Sequence, residues 1–200
     1  KTGKDVYFFD KLLETIECEK GIPTGTFSII PIIETAAAVL HVNDICEASK
    51  RVIALAFGSE DFITDIRAIH DHEGESMFTA KSLIVLAARA NNIAPIEAAH
   101  LNIHDTVDLE RHLKFAKKMG FEGMSVLNPK QLQFVHQYFS PSEEEVEDAK
   151  EMIRLSDEAE LDSKGVAVMN GKFIGPPLVA RAQNILKKHK LIEQNKKQNA

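Results

Sequence analysis

The sequence predicts an α/β fold with a parallel sheet, and three observations carry that expectation. Short runs dominated by apolar residues alternate with segments of helical spacing over residues 1–139. Those runs are apolar almost throughout, as expected of strands covered on both faces. The first two runs, Ile29–Ile33 and Val52–Phe57, both end in carboxylates: Glu34 follows one, Glu60 and Asp61 the other, with a helical segment between. Parallel strands set their C-terminal ends side by side, so Glu34 and Asp61 can converge on one point.

Taken in order, Lys4–Lys20 has Val6, Phe9, Leu12, Leu13 and Ile16 at near-helical spacing, with Asp5 as N-cap and Gly21, Pro23 and Gly25 as breakers. Phe27–Ile33 reads as a strand in which Pro31, lacking an N–H, predicts an irregularity. Asn43–Ser49 reads as a helix capped by Asn43, and Val52–Phe57 as the next strand, with Gly58 allowing a sharp turn. Phe62–Gly74 reads as a long loop. Ser76–Ala90 is a strong helix, Ile93–Ala99 a third strand, and His100–Asp108 an acidic loop. Leu109–Met119 is an amphipathic helix stopped by Gly120. Met124–Leu127 is a fourth strand, running into Asn128–Pro129 and a helix over Lys130–Tyr138. Ser140–Glu143 reads as a capping box with Pro141 at the first helical position. Gly165–Phe173 reads as a hairpin turning at Asn170–Gly171, and Leu178–Lys188 as a last helix.

Composition narrows the function. The 200 residues suit one domain or part of a larger one, and an apolar share of 44% supports a real core. A net charge of −6 argues against a nucleic-acid or anionic-membrane partner. The basic tail from Lys187 to Lys197 reads as a solvated helix end. Cys18 and Cys46 lack metal-like spacing, imply no disulfide framework and fit a reducing cytoplasm. No run reaches bilayer-spanning length and no signal peptide is visible.

Glu34 and Asp61 supply hard oxygen donors of the kind Mg²⁺ takes alongside water and substrate. The alternative is a pair of ordinary loop acids facing Arg or Lys. Gly58–Asp61 can present successive backbone N–H groups to a carboxylate. His100 and His104, and likewise His70 and His72 about Asp71, read as surface loop histidines. Neither a nucleophile elbow nor a phosphate-binding glycine loop is present.

Several of these segments together resemble the citrate lyase β-subunit group of the HpcH/HpaI aldolase and malate-synthase-like superfamily. Pro31–Ala36 is similar to its strand-five motif, and Val52–Asp61, ending Phe57-Gly58-Ser59-Glu60-Asp61, to its strand-six motif. Glu73–Glu75, Met77–Lys81 and Leu86–Ala90 resemble the loop and helix that follow. Gly120–Gln131 resembles the strand-eight motif, and Gly165–Lys172 with Arg181-Ala182 the C-terminal extension. The resemblance implies strands five to eight of a (β/α)₈ barrel over 1–139, with a C-terminal extension over 140–200. It implies an N-terminally truncated sequence, which begins at Lys1 rather than Met, lacks the family's substrate-binding arginine and exposes a sheet edge.

The implied activity is Mg²⁺-dependent carbon–carbon cleavage of an acyl thioester on an acyl carrier protein or CoA, giving oxaloacetate and an acetyl thioester when the acyl group is citryl. Glu34 and Asp61 would hold the metal, the backbone at Ser59 and Glu60 would take the keto-acid carboxylate, and Asn128 would line the barrel mouth. The resemblance also implies a cytoplasmic homo-oligomer, often a trimer, working with lyase-complex subunits. Three departures bear on turnover. Ala38 stands where the family has Gly, and Glu97 where it has Asp. Gly175 stands where the motif's Asp is thought to transfer a proton in a neighbouring subunit's site, so the catalytic acid is unassigned. Two readings compete with the citryl-thioester lyase: a malyl-CoA or citramalyl-CoA type lyase, against which Asn128 speaks, and a non-catalytic relative that binds keto acid without turnover.

Overall fold

The computed structural model describes residues 1–69, 74–161 and 167–198. Two compact units make it up, Lys1–Val135 and His136–Ala200. Among the described residues no helix is long and apolar enough to cross a membrane.

The first unit is a parallel sheet dressed with helices. Helix α1 (Gly3–Glu19) starts at Thr2, not at Asp5 as expected. Asp5 instead sits at the third helical position and accepts from the Thr2 N–H at 2.8 Å, the returning half of a capping box. Four strands follow: β1 (Ile32–Ile33), β2 (Ala54–Phe57), β3 (Ala94–Glu97) and β4 (Gly123–Met124), lying side by side in that order and all parallel. Strand β1 is shorter than the apolar run suggested. Ile29 pairs with Val52 ahead of it, but Ile32 pairs with Ala56, so the two strands slip by one residue in between. Pro31 is the cause. It has no N–H to give the Ile53 carbonyl, which accepts from Ala94 instead at 3.2 Å, while the Pro31 carbonyl receives Ala56 N–H at 3.0 Å.

Between β1 and β2 the chain forms two short helices, α2 (Ala36–Leu40) and α3 (Val42–Glu47), joined at His41. Thr35 caps the first by accepting from Ala38 N–H, and Asn43, expected as a cap, uses its amide on Glu47 instead. The segment after β2 departs most from expectation. Helix α4 (Ser59–Ile66) occupies what the Asp and His content marked as loop. Glu60 and Asp61 in its first turn suit the positive end of the helix, Phe62 and Ile63 are buried, and Arg67 ends it in the left-handed region at φ 56°. Residues 70–73, including His70, Asp71 and His72, lie outside the described residues. Helix α5 (Glu75–Ala90) packs on β2 and β3. Helix α6 (Thr106–Met119) begins one turn earlier than predicted because Asp105 caps it, accepting from Asp108 N–H at 2.9 Å. After β4 come a 3₁₀ turn (Pro129–Gln131) and α7 (Leu132–Phe139). Ile33, Leu55, Ile84 and Leu113 are fully buried and mark the core between sheet and helices.

Arg51, just ahead of β2, ties the first helix to the sheet. Its guanidinium donates to both Glu17 oxygens, at 2.8 and 2.6 Å, to Asp10 at 2.6 Å and to the Phe27 carbonyl at 3.0 Å. Glu17 has no exposed surface and also accepts from the N–H groups of Gly25 and Phe27. A two-pronged guanidinium–carboxylate pair of this kind is both strong and directional.

In the second unit α8 (Glu143–Leu161) packs against α9 (Pro176–Gln198) and against a hairpin, β5 (Ala167–Met169) and β6 (Lys172–Ile174). The capping box lies two residues later than expected: Ser142 accepts from Glu145 N–H and Glu145 from Ser142 N–H. Asn170 and Gly171, at φ 49° and 75°, make the predicted turn. Helix α9 takes in the basic tail, ten residues past the expected end.

Arg51 and the two backbone N–H groups hold the Glu17 carboxyl down at about 2, against an ordinary 4.5. A carboxyl lowered by folding contributes stability that is complete above its unfolded value and lost as pH falls through the folded one. Chemical denaturation should therefore show a loss of stability between about pH 4.5 and 2. In Glu17→Gln the part of that slope due to Glu17 should vanish, and the variant should unfold more easily than the parent at pH 7.

Candidate functional site

The register Ile33–Phe57 brings the ends of β1 and β2 together, with Glu34 beside Gly58. The contact is close: a Cβ on Gly58 would lie 2.7 Å from the Glu34 Cβ and 3.0 Å from its Oε2. Only glycine leaves the Glu34 carboxylate its room, so the Phe-Gly-Ser sequence has a steric reason here. Glu34 is half-buried. From Gly58 the chain enters α4, whose first turn, Ser59, Glu60 and Asp61, forms the positive end of the helix. Asp65, further along α4, accepts from Ala36 N–H at 2.7 Å and so fastens the start of α2 to α4. This link, invisible in the sequence, binds the two strand-end segments to each other.

The donor set suits a hard divalent cation. Glu34 and Asp61 are oxygen donors, Asp61 is exposed, and the missing Cβ at Gly58 leaves a cradle against Glu34. No cluster of three or more metal-ligating side chains exists among the described residues, so water and substrate would have to supply most of the positions.

Beside this lies a cavity of about 440 Å³ whose walls include Ser59, Glu60, Lys81, His100, His112 and Phe115. Next to it lies a buried polar cluster that the sequence did not reveal. Glu97, at the end of β3, has no exposed surface and pairs with Lys81 of α5 at 2.9 Å. Its other oxygen accepts from Ala98 N–H at 2.8 Å. The Lys81 ammonium also lies over the rings of Phe57 and Phe115. Burial pushes the Glu97 carboxyl up, but His112 and Lys81 together outweigh it and leave it below the usual carboxylate range. His100, expected as a surface loop residue, is buried instead, while His104 is exposed. Burial, with His112 close by, lowers the His100 pKa and favours its neutral form. The signal missed was the segment's helical continuation: α6 starts at Thr106 and carries Asp108 and His112 toward His100.

Asn128 caps the 3₁₀ turn, accepting from Lys130 N–H at 2.9 Å. Gln131, buried and unnoticed in the sequence, accepts from the N–H groups of Leu127 and Asn128 and donates to the His100 carbonyl at 3.0 Å. It fixes the β4 loop to the β3 loop. Ala38 is buried in α2. Gly175, in the second unit, precedes α9 and accepts from Leu178 and Val179 N–H.

Lys81 and Glu97 each leave a buried, uncompensated partner if the other is removed. Glu97→Gln or Lys81→Met alone should cost about 3–5 kcal/mol in urea unfolding. The double variant should recover much of that loss, and simple additivity of the two would show that the pair is not coupled.

Comparison with known proteins identifies the family. The sequence model of the HpcH/HpaI aldolase/citrate lyase family matches residues 1–129. The citrate lyase subunit beta of Leuconostoc mesenteroides subsp. cremoris is 32% identical over 94% of the chain, and the chain spans 62% of that protein's length. A citrate lyase from Burkholderia xenovorans superposes with a TM-score of 0.83 over 96% of this chain and 62% of its own, at 20% identity, a likeness of fold. The CitE protein of Mycobacterium tuberculosis, solved in complex with magnesium and pyruvate, is 26% identical with a TM-score of 0.53, over 58% of this chain and 50% of its own. With the family model matched over more than half its length, the chain belongs to the HpcH/HpaI aldolase/citrate lyase family.

Proposed function

We propose that the chain is the metal- and keto-acid-holding part of a carbon–carbon lyase acting on an acyl thioester of the citryl type, carried by CoA or an acyl carrier protein. The observation that carries this reading is Glu34 set against Gly58 at adjacent parallel strand ends, with the α4 N-terminus next in the chain. In support, a relative of the same family binds magnesium and pyruvate. On this reading residues 1–139 supply the later strands of a (β/α)₈ barrel and residues 140–200 an extension. The chain works in the cytoplasm as a homo-oligomer with other lyase-complex subunits.

Glu34 and Asp61 hold the cation, and the Ser59 and Glu60 N–H groups orient the keto-acid carboxylate at the positive end of α4. Asn128 closes the mouth. Bound there, Mg²⁺ supplies Lewis-acid polarisation of a 2-hydroxy or 2-keto acid while the carbon–carbon bond breaks. Gly58 keeps Glu34 in place by what it lacks, and Asp65 holds α4 to α2 so that the donors keep their spacing.

A second reading, binding without turnover, is favoured by Gly175. That position can neither give nor take a proton, and general acid–base help is worth about 10²–10⁴-fold in rate.

Calorimetry with Mg²⁺ and pyruvate should show binding that Glu34→Gln and Asp61→Asn abolish and that Gly58→Ala weakens; unchanged Mg²⁺ affinity in Glu34→Gln would remove the metal assignment. Oxaloacetate release from a citryl thioester separates the two readings. Turnover supports the lyase, and binding without turnover supports the second reading. On the lyase reading, Gly175→Asp should raise the rate by about 10²-fold or more.

A further inference from the structure

Past the ends of β3 and β4 the chain runs into two loops, and one side chain joins them. At the strand ends Ser125 N–H donates to the Glu97 carbonyl at 3.0 Å. Beyond that rung Gln131 makes the connection. Its Nε2 donates to the His100 carbonyl at 3.0 Å, and its Oε1 accepts from Leu127 and Asn128 N–H at 3.0 and 3.3 Å. Gln131 is 3% exposed, so water does not stand in for these bonds. The partners also fix which way the amide lies. Turned over, it would set its NH₂ against two N–H groups and its oxygen against a carbonyl.

Asn128 is held at three points by this arrangement. Its N–H goes to Gln131 Oε1, its carbonyl accepts from Gln131 N–H at 2.9 Å, and its Oδ1 accepts from Lys130 N–H at 2.9 Å. Asn128 and Gln131 are thus the two ends of a capping box on the 3₁₀ turn. With the Asn128 side-chain oxygen committed to the turn, only Nδ2 is left, and that nitrogen has no hydrogen-bond partner among the described residues. Asn128 is half-buried, so the nitrogen can still be reached from outside. An amide nitrogen donates and does not accept. A keto acid in its carboxylate form carries acceptor oxygens alone, which is the complement of that single donor.

We propose that Gln131 is a positioning residue of the keto-acid site: by holding the Asn128 backbone and tying it to the His100 loop, it makes Asn128 a fixed hydrogen-bond donor to a keto-acid oxygen. This rests on the reading above in which Asn128 closes the mouth of that site.

Calorimetric titration of pyruvate into the Mg²⁺-saturated chain tests it, on variants that retain the parent's amide spectrum. Asn128→Ala should weaken pyruvate binding about tenfold, and Gln131→Met by a similar factor. Because Gln131 acts through Asn128, Gln131→Met should cost nothing further in the Asn128→Ala background. Asn128→Asp keeps the oxygen that caps the turn but replaces the donor with a second oxygen, and should bind more weakly than Asn128→Ala. Should Gln131→Met fail to fold, Gln131→Glu takes its place in the cycle. It keeps the acceptor for both N–H groups and loses only the donation to His100. Parent-like pyruvate binding in the Gln131 variant, an equal loss in both backgrounds, or parent-like binding by Asn128→Asp would overturn this proposal and leave the keto-acid reading standing. A parent chain that binds Mg²⁺ but no pyruvate would overturn that reading and this proposal with it.

Discussion

The Arg51 guanidinium is the constraint on which the rest of the first unit is assembled. Its side chain gathers α1 through Asp10 and Glu17 and the 25–27 segment through Glu17 and Phe27. Its own carbonyl meanwhile accepts from Ile29 N–H at 2.7 Å, the first rung between the two strand regions. One residue thus fixes where the strand pair begins and which helix covers its start. Glu17 is satisfied on every side, by two guanidinium nitrogens and two backbone donors, so the buried carboxylate remains ionised without an orphaned lone pair. Placing Glu34 and the start of α4 depends on strands already aligned at this end.

The two polar clusters of this unit differ in completeness. Around Arg51 each charged group meets its counterpart with short, direct bonds. Around Glu97 the ion pair with Lys81 is complete, but the imidazoles stand off from their carboxylates. A polar network that is satisfied throughout makes a rigid joint. The other leaves both imidazole nitrogens buried without a hydrogen-bond partner among the described residues.

Much of the fold was legible because strands in a parallel sheet read as solid apolar runs and because helices announce their ends. Gly120, the Asn170–Gly171 turn and the order of the four strands were all visible this way. Helix α4 was not. Its eight residues carry acids that look like loop composition, and only their position in the first turn, where the helix dipole favours them, makes them helical. The N-caps of α1, α3 and α8 lie two or three residues from the positions expected. In the site, Glu34, Ser59, Glu60 and Asp61 stood out as residues at strand ends. Lys81, His112 and Gln131 did not, since each lies on a helix or turn far away in sequence and gains its meaning only where elements meet.

The slipped pairing around Pro31 reaches further than the strand it shortens. Had the Ile29–Val52 frame continued unbroken, Glu34 would face Phe57, where a bulky ring stands and no space is left beside the carboxylate. The one-residue slip re-indexes the two strands so that the acid meets the single residue in the motif that has no side chain. An imino acid three positions upstream, through a hydrogen bond it cannot make, thus sets the phase in which an acid and a glycine coincide. The spacing between Pro31, Glu34 and Gly58 works as a unit, and an insertion or deletion anywhere within it would leave every residue of the motif present and the coincidence lost.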